Sequence, residues 1–301
     1  ISKGERCMEK VYNEEPLVSV IIPTYKRSDM LPRAIKSVLN QTYKNIQVVV
    51  EKGDTDYKEP RVGMSLKVTG TVTEGRNNTV EINTAPDGIT VLGECPQDYP
   101  LQKKGHTLEF LRSMPHLRGR TNTFNAVWRV RSVLAASLHE FFQKNNYVYV
   151  NTPLITGSDC EGAGEMFQVT TNGYTTEFKS EEEYYANDFF GKRAGLSVSG
   201  QLEGEVAAMA MGKIYTFGPS FRAENSNTPK HLAEFWHIEP EVAFAELDDV
   251  IEIAEDMLKY VIGRLLEKCP DEVAFFDAHF EKGLRARLEE LISHDFARVT
   301  Y

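Results

Sequence analysis

The residues best equipped for chemistry in this chain lie between Phe221 and Glu241. Ser220, Arg222 and Glu224 alternate with Phe217, Phe221 and Ala223, which places the two groups on opposite faces of a strand. Farther on, Phe235, His237, Glu239 and Glu241 alternate with Trp236, Ile238, Val242 and Phe244. Between the runs, 225–232 is rich in Asn, Ser, Thr and Pro, the residues of turns. The spacing predicts a long antiparallel hairpin with one apolar and one polar face. A sheet with one wet side would account for the alternation alone. The polar face, however, combines a guanidinium (Arg222), carboxylates and one aromatic ring (Phe235), and the loop adds Lys230 and His231. That set suits an anion beside a flat heterocycle, in other words a nucleotide.

The rest of the chain must hold this hairpin in place. A helix is expected from Thr123 to about Lys144, with Val127, Val130, Leu134, Leu138 and Phe141 at helical spacing and Asn145-Asn146 as its stop. A short strand at 147–150 follows, then Pro153 and a glycine-rich acidic loop, 157–165. Residues 172–188 read as a polar, exposed insertion, 196–199 as a strand, and 200–211 as a helix capped by Ser199. Beyond the hairpin, Asp248 or Asp249 should cap an amphipathic helix carrying Val250, Ala254, Met257, Val261 and Leu265, and a last helix is expected near 281–292. Upstream, 62–72, 80–83 and 89–93 are short alternating runs split by glycine turns, as in a small barrel of the oligonucleotide-binding type.

With 301 residues there is room for two or three domains. A formal charge of −10 excludes a generally basic nucleic-acid coat, although Arg112, Arg118, Arg120, Arg129 and Arg131 form a local basic stripe. Cys7, Cys95, Cys160 and Cys269 are too scattered for a zinc site or disulfide framework, so reduced thiols and a cytoplasmic location are expected. No apolar run approaches a membrane span, and no metal site is expected within the chain.

From about Ile46 to Tyr301 the sequence resembles the class II aminoacyl-tRNA synthetases, most nearly the bacterial-type asparaginyl branch. The likeness rests on Arg120-Thr-Asn-Thr-Phe124, Ser158-Asp-Cys-Glu-Gly-Ala-Gly-Glu-Met-Phe167, Val198-Ser-Gly-Gln-Leu202, Tyr215 through Thr228, and Ala233 through Glu241. It implies an α+β fold: a partial class II antiparallel sheet with flanking helices, after a partial oligonucleotide-binding barrel. It also implies ATP-dependent activation of asparagine and its transfer to tRNA-Asn. By the same resemblance, Arg222 is the catalytic arginine bridging the α-phosphate and the substrate carboxylate. Glu224 reads adenine, Phe235 stacks on it, and Lys230 and His231 reach the γ-phosphate. Glu161 and Gln201 would hold the amino acid. Aspartyl relatives carry a lysine three places after that glutamine; here Gly204 stands there, followed by Glu205. A carboxylate at Glu205 would accept the amide of asparagine and repel aspartate. Pro153 matches the proline of the homodimer interface.

Residues 17 to about 45 resemble the start of a family-2 glycosyltransferase: Val18 through Arg27, then Ala34 through Tyr43. They predict a βαβ unit with strands at 17–25 and 46–50 and a helix at about 29–39. The expected organisation is therefore 1–45 glycosyltransferase-like, 46–95 barrel remnant, and 96–301 synthetase catalytic domain. A nucleotide-sugar transferase and a non-catalytic nucleotide- or tRNA-binding module are the alternative functions. The family's third motif and its Mg2+ ligands are expected beyond residue 301, so little adenylate formation is expected from this chain alone.

Overall fold

The computed structural model describes residues 20–21, 46–50, 60–74, 80–102, 104–160, 162, 164–173, 175, 177–226, 228 and 230–300. They fall into two compact units, 1–121 and 122–301. The fold is α+β.

In the first unit, β1 (Val20–Ile21), β3 (Ser65–Val68) and β6 (Ile89–Gly93) form one three-stranded sheet. A second contains β2 (Ile46–Val50), β5 (Val80–Thr84) and β4 (Thr71–Glu74). The alternating runs thus fold as strands, and 62–72 divides into β3 and β4 at Gly70, where a Cβ would lie 2.3 Å from the Asn83 carbonyl oxygen. The strand pairing corrects one expectation. β1 pairs antiparallel with β3, while β2 pairs parallel with β5, so the two strands expected to open one parallel sheet lie in different sheets. An apolar run specifies a strand but not its neighbour, and here each strand takes a partner from the later meander. The helix expected at 29–39 lies outside the described residues. α1 (Leu108–Arg112) follows, capped by the Thr107 side chain accepting from the Phe110 amide, and a 3-10 turn at Arg118–Arg120 comes after it.

The second unit is built on β10 (Lys213–Phe221) and β11 (Glu234–Val242), the predicted hairpin. β7 (Val148–Tyr149) adds to β10 in parallel through Ile214 and Tyr215. α2 (Asn122–Lys144) packs behind the sheet. Phe142 stacks on Tyr215 with ring centroids 4.7 Å apart, and Phe141, Tyr147 and Phe217 complete that core. Asn146 takes a left-handed backbone, φ 63°, and lets the chain leave α2 toward β7. α5 (Leu247–Lys268) lies against α2. Glu140 joins the two, with Lys144 Nζ 2.8 Å from one carboxylate oxygen and Arg264 Nη2 3.2 Å from the other. The Lys144 hydrogen bond is the main cause holding the Glu140 carboxyl down at about 2. α5 begins with a capping box between Glu246 and Asp249, so Asp249 serves at the third helical position rather than as the cap itself.

α6 (Pro270–His279) and α7 (Leu284–Ser293) follow. Only α7 was legible as a helix. α6 opens directly after α5 at Pro270, a residue that fits a first helical turn as well as it breaks a preceding helix. It buries Cys269 and Val273 against α2 and α5. Among the described residues no helix is long and apolar enough to cross a membrane.

The polar insertion is less loose than its composition suggests. It contains α3 (Glu181–Ala186), and Asp188 at its end is buried. That carboxylate accepts from the Thr171 amide, the Thr171 hydroxyl and the Phe189 amide, each at 2.8 Å. These donors, the Thr171 amide first, hold the Asp188 carboxyl at about 2. Because the folded value lies below the usual ~3.9 of an aspartate, the stabilisation is present above that pH and disappears as pH falls through about 2. Asp188→Asn is expected to speed amide hydrogen exchange across 170–190 at neutral pH while leaving α2 protected. Unchanged exchange there would remove Asp188 as the anchor.

Candidate functional site

The hairpin register carries the predicted faces through to the structure. Ser220 lies opposite Phe235, Gly218 opposite His237, and Thr216 opposite Glu239 on the polar side; Phe217 opposes Ile238 and Pro219 opposes Trp236 on the other. Beyond the last strand pair, the Arg222 amide donates to the Ala233 carbonyl at 3.0 Å, which carries the ladder to the base of the loop. Arg222 is half-buried. Its Nε lies 3.4 Å from the Val198 carbonyl oxygen and its guanidinium carbon 5.5 Å from the Phe235 ring centroid. Arg222 and Phe235, from separate strands, therefore meet as a cation beside an aromatic face.

The acidic loop closes on the same corner. The Ala223 amide donates to the Glu165 carbonyl at 2.7 Å, and Gly164 lies against the Arg222 and Glu224 side chains. A Cβ on Gly164 would stand 2.5 Å from Glu224 Oε1 and 3.3 Å from Arg222 Cγ and Cδ. Gly164→Ala is therefore expected to displace Glu224, whose carboxylate is the flexible partner, and to shift Arg222 by a few tenths of an ångström. For the nucleotide that the resemblance implies, the expected outcome is weaker binding in calorimetry, on the order of threefold to tenfold. Wild-type affinity in this variant would show that Glu224 does not need its place.

Lys230 and His231 stand exposed in the loop, and His231 bonds within it to the Thr228 hydroxyl rather than to the polar face. Gln201 begins α4 (Gln201–Met211), and its amide donates to Glu205 Oε1 at 3.0 Å. Glu205 is exposed, whereas its neighbour Gly204 is buried against Ile214, Thr216 and Glu241. The helix start differs from the expectation in one respect. Gly200 is the cap and has no side chain to offer, so Ser199, one residue earlier, accepts from the Gln201 amide at 3.0 Å. Glu161 lies outside the described residues. Pro153 is exposed between β7 and β8 (Ile155–Thr156), with Val148, Tyr149, Leu154 and Ile155 exposed around it.

One residue on the polar face, Glu239, does more than its position alone suggested. Its Oε2 accepts from the Gly200 amide at 3.0 Å and the Thr216 hydroxyl at 2.8 Å. Its Oε1 accepts from the Ser199 hydroxyl and lies 3.2 Å from His237 Nδ1. The carboxylate thereby fastens the N-terminus of α4 to the hairpin. It also borders a cavity of about 270 Å³ beside β10, lined by Thr152, Ser197, Gly200, Thr216 and Gly218 among others. The signal for this role was in the alternation: 235, 237 and 239 share one face, and 216 and 220 oppose it.

Comparison with known proteins interprets this arrangement. Residues 107–301, well over half of the chain, match the family model for class II tRNA synthetases (D, K and N). The chain belongs to this family. Its class II region takes in the hairpin, the acidic loop and α4. The chain is 51% identical over 265 residues to a protein named asparagine–tRNA ligase from Phocaeicola vulgatus, an alignment covering 86% of this chain and 57% of that protein. With the asparagine–tRNA ligase of Clostridium botulinum (Eklund 17B) it is 47% identical over 306 residues, covering 100% of this chain and 66% of the relative. The chain thus spans little more than half the length of the curated relatives it matches. A solved class II structure, the asparaginyl-tRNA synthetase of Pyrococcus horikoshii complexed with asparaginyl-adenylate, superposes with a TM-score of 0.61 at 27% identity, covering 74% of this chain and 47% of that one. Residues 19–57 separately match the model for glycosyl transferase family 2. Class II synthetases use ATP with Mg2+, but among the described residues no three His, Cys, Asp or Glu side chains are grouped to hold a metal.

Proposed function

We propose that this chain carries the adenylate-forming face of an asparagine–tRNA ligase. The observation that carries the reading is the pairing of Arg222 with Phe235 on the polar face, a cation and a stacking surface 5.5 Å apart. Identity of 51% with a relative named asparagine–tRNA ligase supports the choice of amino acid. In the first step an asparagine carboxylate oxygen attacks the α-phosphorus of ATP; a P–O bond forms and pyrophosphate leaves. In the second, a terminal hydroxyl of tRNA-Asn attacks the acyl carbon, its proton is lost, and AMP leaves. Neither step needs much side-chain proton transfer, so positioning and charge neutralisation carry the rate.

Arg222 bridges the α-phosphate and the substrate carboxylate with its planar fork. Phe235 stacks on adenine, Glu224 reads its amino edge, and Lys230 with His231 reaches the γ-phosphate. Glu161 and Gln201 take the amino acid backbone, and Glu205 selects the side-chain amide. The same reading makes 46–95 an anticodon-binding barrel remnant and 96–301 the catalytic domain, with 1–45 a glycosyltransferase-like segment. It makes the protein a cytoplasmic homodimer meeting at Pro153.

Calorimetry on the chain tests the reading. ATP should bind, and asparagine should bind at least about tenfold tighter than aspartate, a difference of about 1.4 kcal/mol. Glu205→Gln should erase most of that preference. Preference unchanged in the variant removes Glu205 as the selector. Absence of ATP binding, with hydrolysis of a nucleotide-sugar donor instead, overturns the ligase reading altogether.

A further inference from the structure

His237 has no part in the roles above, yet it stands between the two ends of the site. On one side its ring lies 5.4 Å from the Phe235 ring, the next residue on the same face of β11. On the other, Nδ1 lies 3.2 Å from Glu239 Oε1, with the Ser220 hydroxyl 3.3 Å away. Across the ladder its neighbour is Gly218, where a Cβ would meet nothing within 4 Å, so the imidazole is flanked by open space on that side. Glu239 in turn holds the Gly200 amide and the Ser199 hydroxyl, and Ser199 accepts from the Gln201 amide. A continuous chain of contacts runs from Phe235 through His237 and Glu239 to the first residue of α4.

Nδ1 faces two oxygens that ask for different things. A carboxylate only accepts, so a ring bonded to Glu239 through Nδ1 carries its proton there, whereas the Ser220 hydroxyl can either accept from Nδ1–H or donate to a bare Nδ1. The Gly200 amide is an obligatory donor, which commits Oε2 and leaves Oε1 for Ser199 and His237. Rotation of the imidazole would therefore break the His237 contact with Glu239, the carboxylate that fastens α4. Phe235 and the start of α4 are therefore the two ends of one chain of contacts that passes through His237 and Glu239.

We propose that His237, as its Nδ1–H tautomer, is the positioning residue that couples occupancy of the nucleotide end at Phe235 to occupancy of the amino-acid end at α4. This rests on the ligase reading for the identity of the two ligands, but the His237–Glu239 link does not. Reciprocity requires that asparagine tighten ATP by the same factor that ATP tightens asparagine.

The experiment has two arms, both on the full chain. In the first, ATP affinity is measured by calorimetry with and without saturating asparagine. The wild-type ratio should be on the order of tenfold, within the usual span of coupling energies. His237→Leu should bring the ratio to about one, whatever it does to ATP affinity alone, and His237→Asn, which restores a short donor near Nδ1, should recover most of it. A ratio unchanged in His237→Leu, or a wild-type chain that binds both ligands without coupling, overturns the proposal. Binding of neither ligand ends the ligase reading and the coupling with it.

The second arm needs no ligand. Long-range proton–nitrogen NMR spectra should show His237 as the Nδ1–H tautomer in the wild type. In Glu239→Gln the amide oxygen must face the Gly200 donor, which turns the NH2 toward His237 and forces Nδ1 to accept. The Nε2–H tautomer is then expected. The same tautomer in both proteins would show that Glu239 does not set the ring, and would overturn the positioning role even if coupling were found.

Discussion

Arg222→Ala is expected to weaken ATP binding by roughly tenfold to 150-fold, the equivalent of losing hydrogen bonds to a charged group worth about 1.5–3 kcal/mol. The guanidinium is half-buried and sits near the Val198 carbonyl and the Phe235 ring, so its orientation is biased toward this corner before any ligand arrives. That preorganisation is why the loss should be large: little side-chain entropy remains to be spent on binding. Arg222→Lys separates charge from shape. It keeps a cation but gives up the planar fork and much of the contact with the ring, and should recover only a small part of the affinity. Calorimetric titration with ATP measures both. Wild-type affinity in Arg222→Ala would remove this corner of the hairpin as the nucleotide site. Full recovery by lysine would show that the site needs only a point charge.

How much of this was legible in the sequence depended on distance along the chain. The hairpin was readable because its two strands are sequence neighbours and a period of two names both faces without knowledge of any partner. Within the paired strands the structure keeps the assigned faces, with Ser220 opposite Phe235 and Phe217 opposite Ile238, but Phe244, expected on the apolar face, lies past the end of β11 in a left-handed turn and is fully exposed. α2 was readable for the same local reason, with its apolar stripe and the Asn146 stop. What could not be read were relations among residues far apart. β2 takes β5 as its parallel neighbour, a choice that depends on register and not on the apolar run itself. α6 was hidden because Pro270 ends one helix and begins the next. The cap of α4 was placed at Ser199, since no local pattern announces that a carboxylate 39 positions away satisfies the Gly200 amide.

That carboxylate gives the other large expected effect. Glu239→Leu removes the acceptor for the Gly200 amide, the Thr216 hydroxyl and the Ser199 hydroxyl in one step, and leaves His237 Nδ1 only the Ser220 hydroxyl. Thr216 and Ser199 are buried, and the carboxylate itself is only 12% exposed, so water cannot readily replace it. An unsatisfied buried donor costs about 1–3 kcal/mol, but the two hydroxyls can turn toward other acceptors and only the Gly200 amide cannot. The expected net loss is about 3 kcal/mol rather than the sum of four bonds. For a unit of this size that corresponds to a fall in Tm of roughly 6–12 °C. Glu239→Gln keeps an acceptor for the Gly200 amide and should cost much less, about 1 kcal/mol. Thermal unfolding followed by circular dichroism separates the two. Equal Tm values for Glu239→Leu and Glu239→Gln would show that the amide of Gly200 finds another partner, and that α4 is fastened to the hairpin by its apolar contacts with Ile214 and Thr216 instead. A large loss confined to Glu239→Leu would place the stability of α4 and the geometry of the proposed binding site in the same carboxylate, so that the site could not be loosened without loosening the fold.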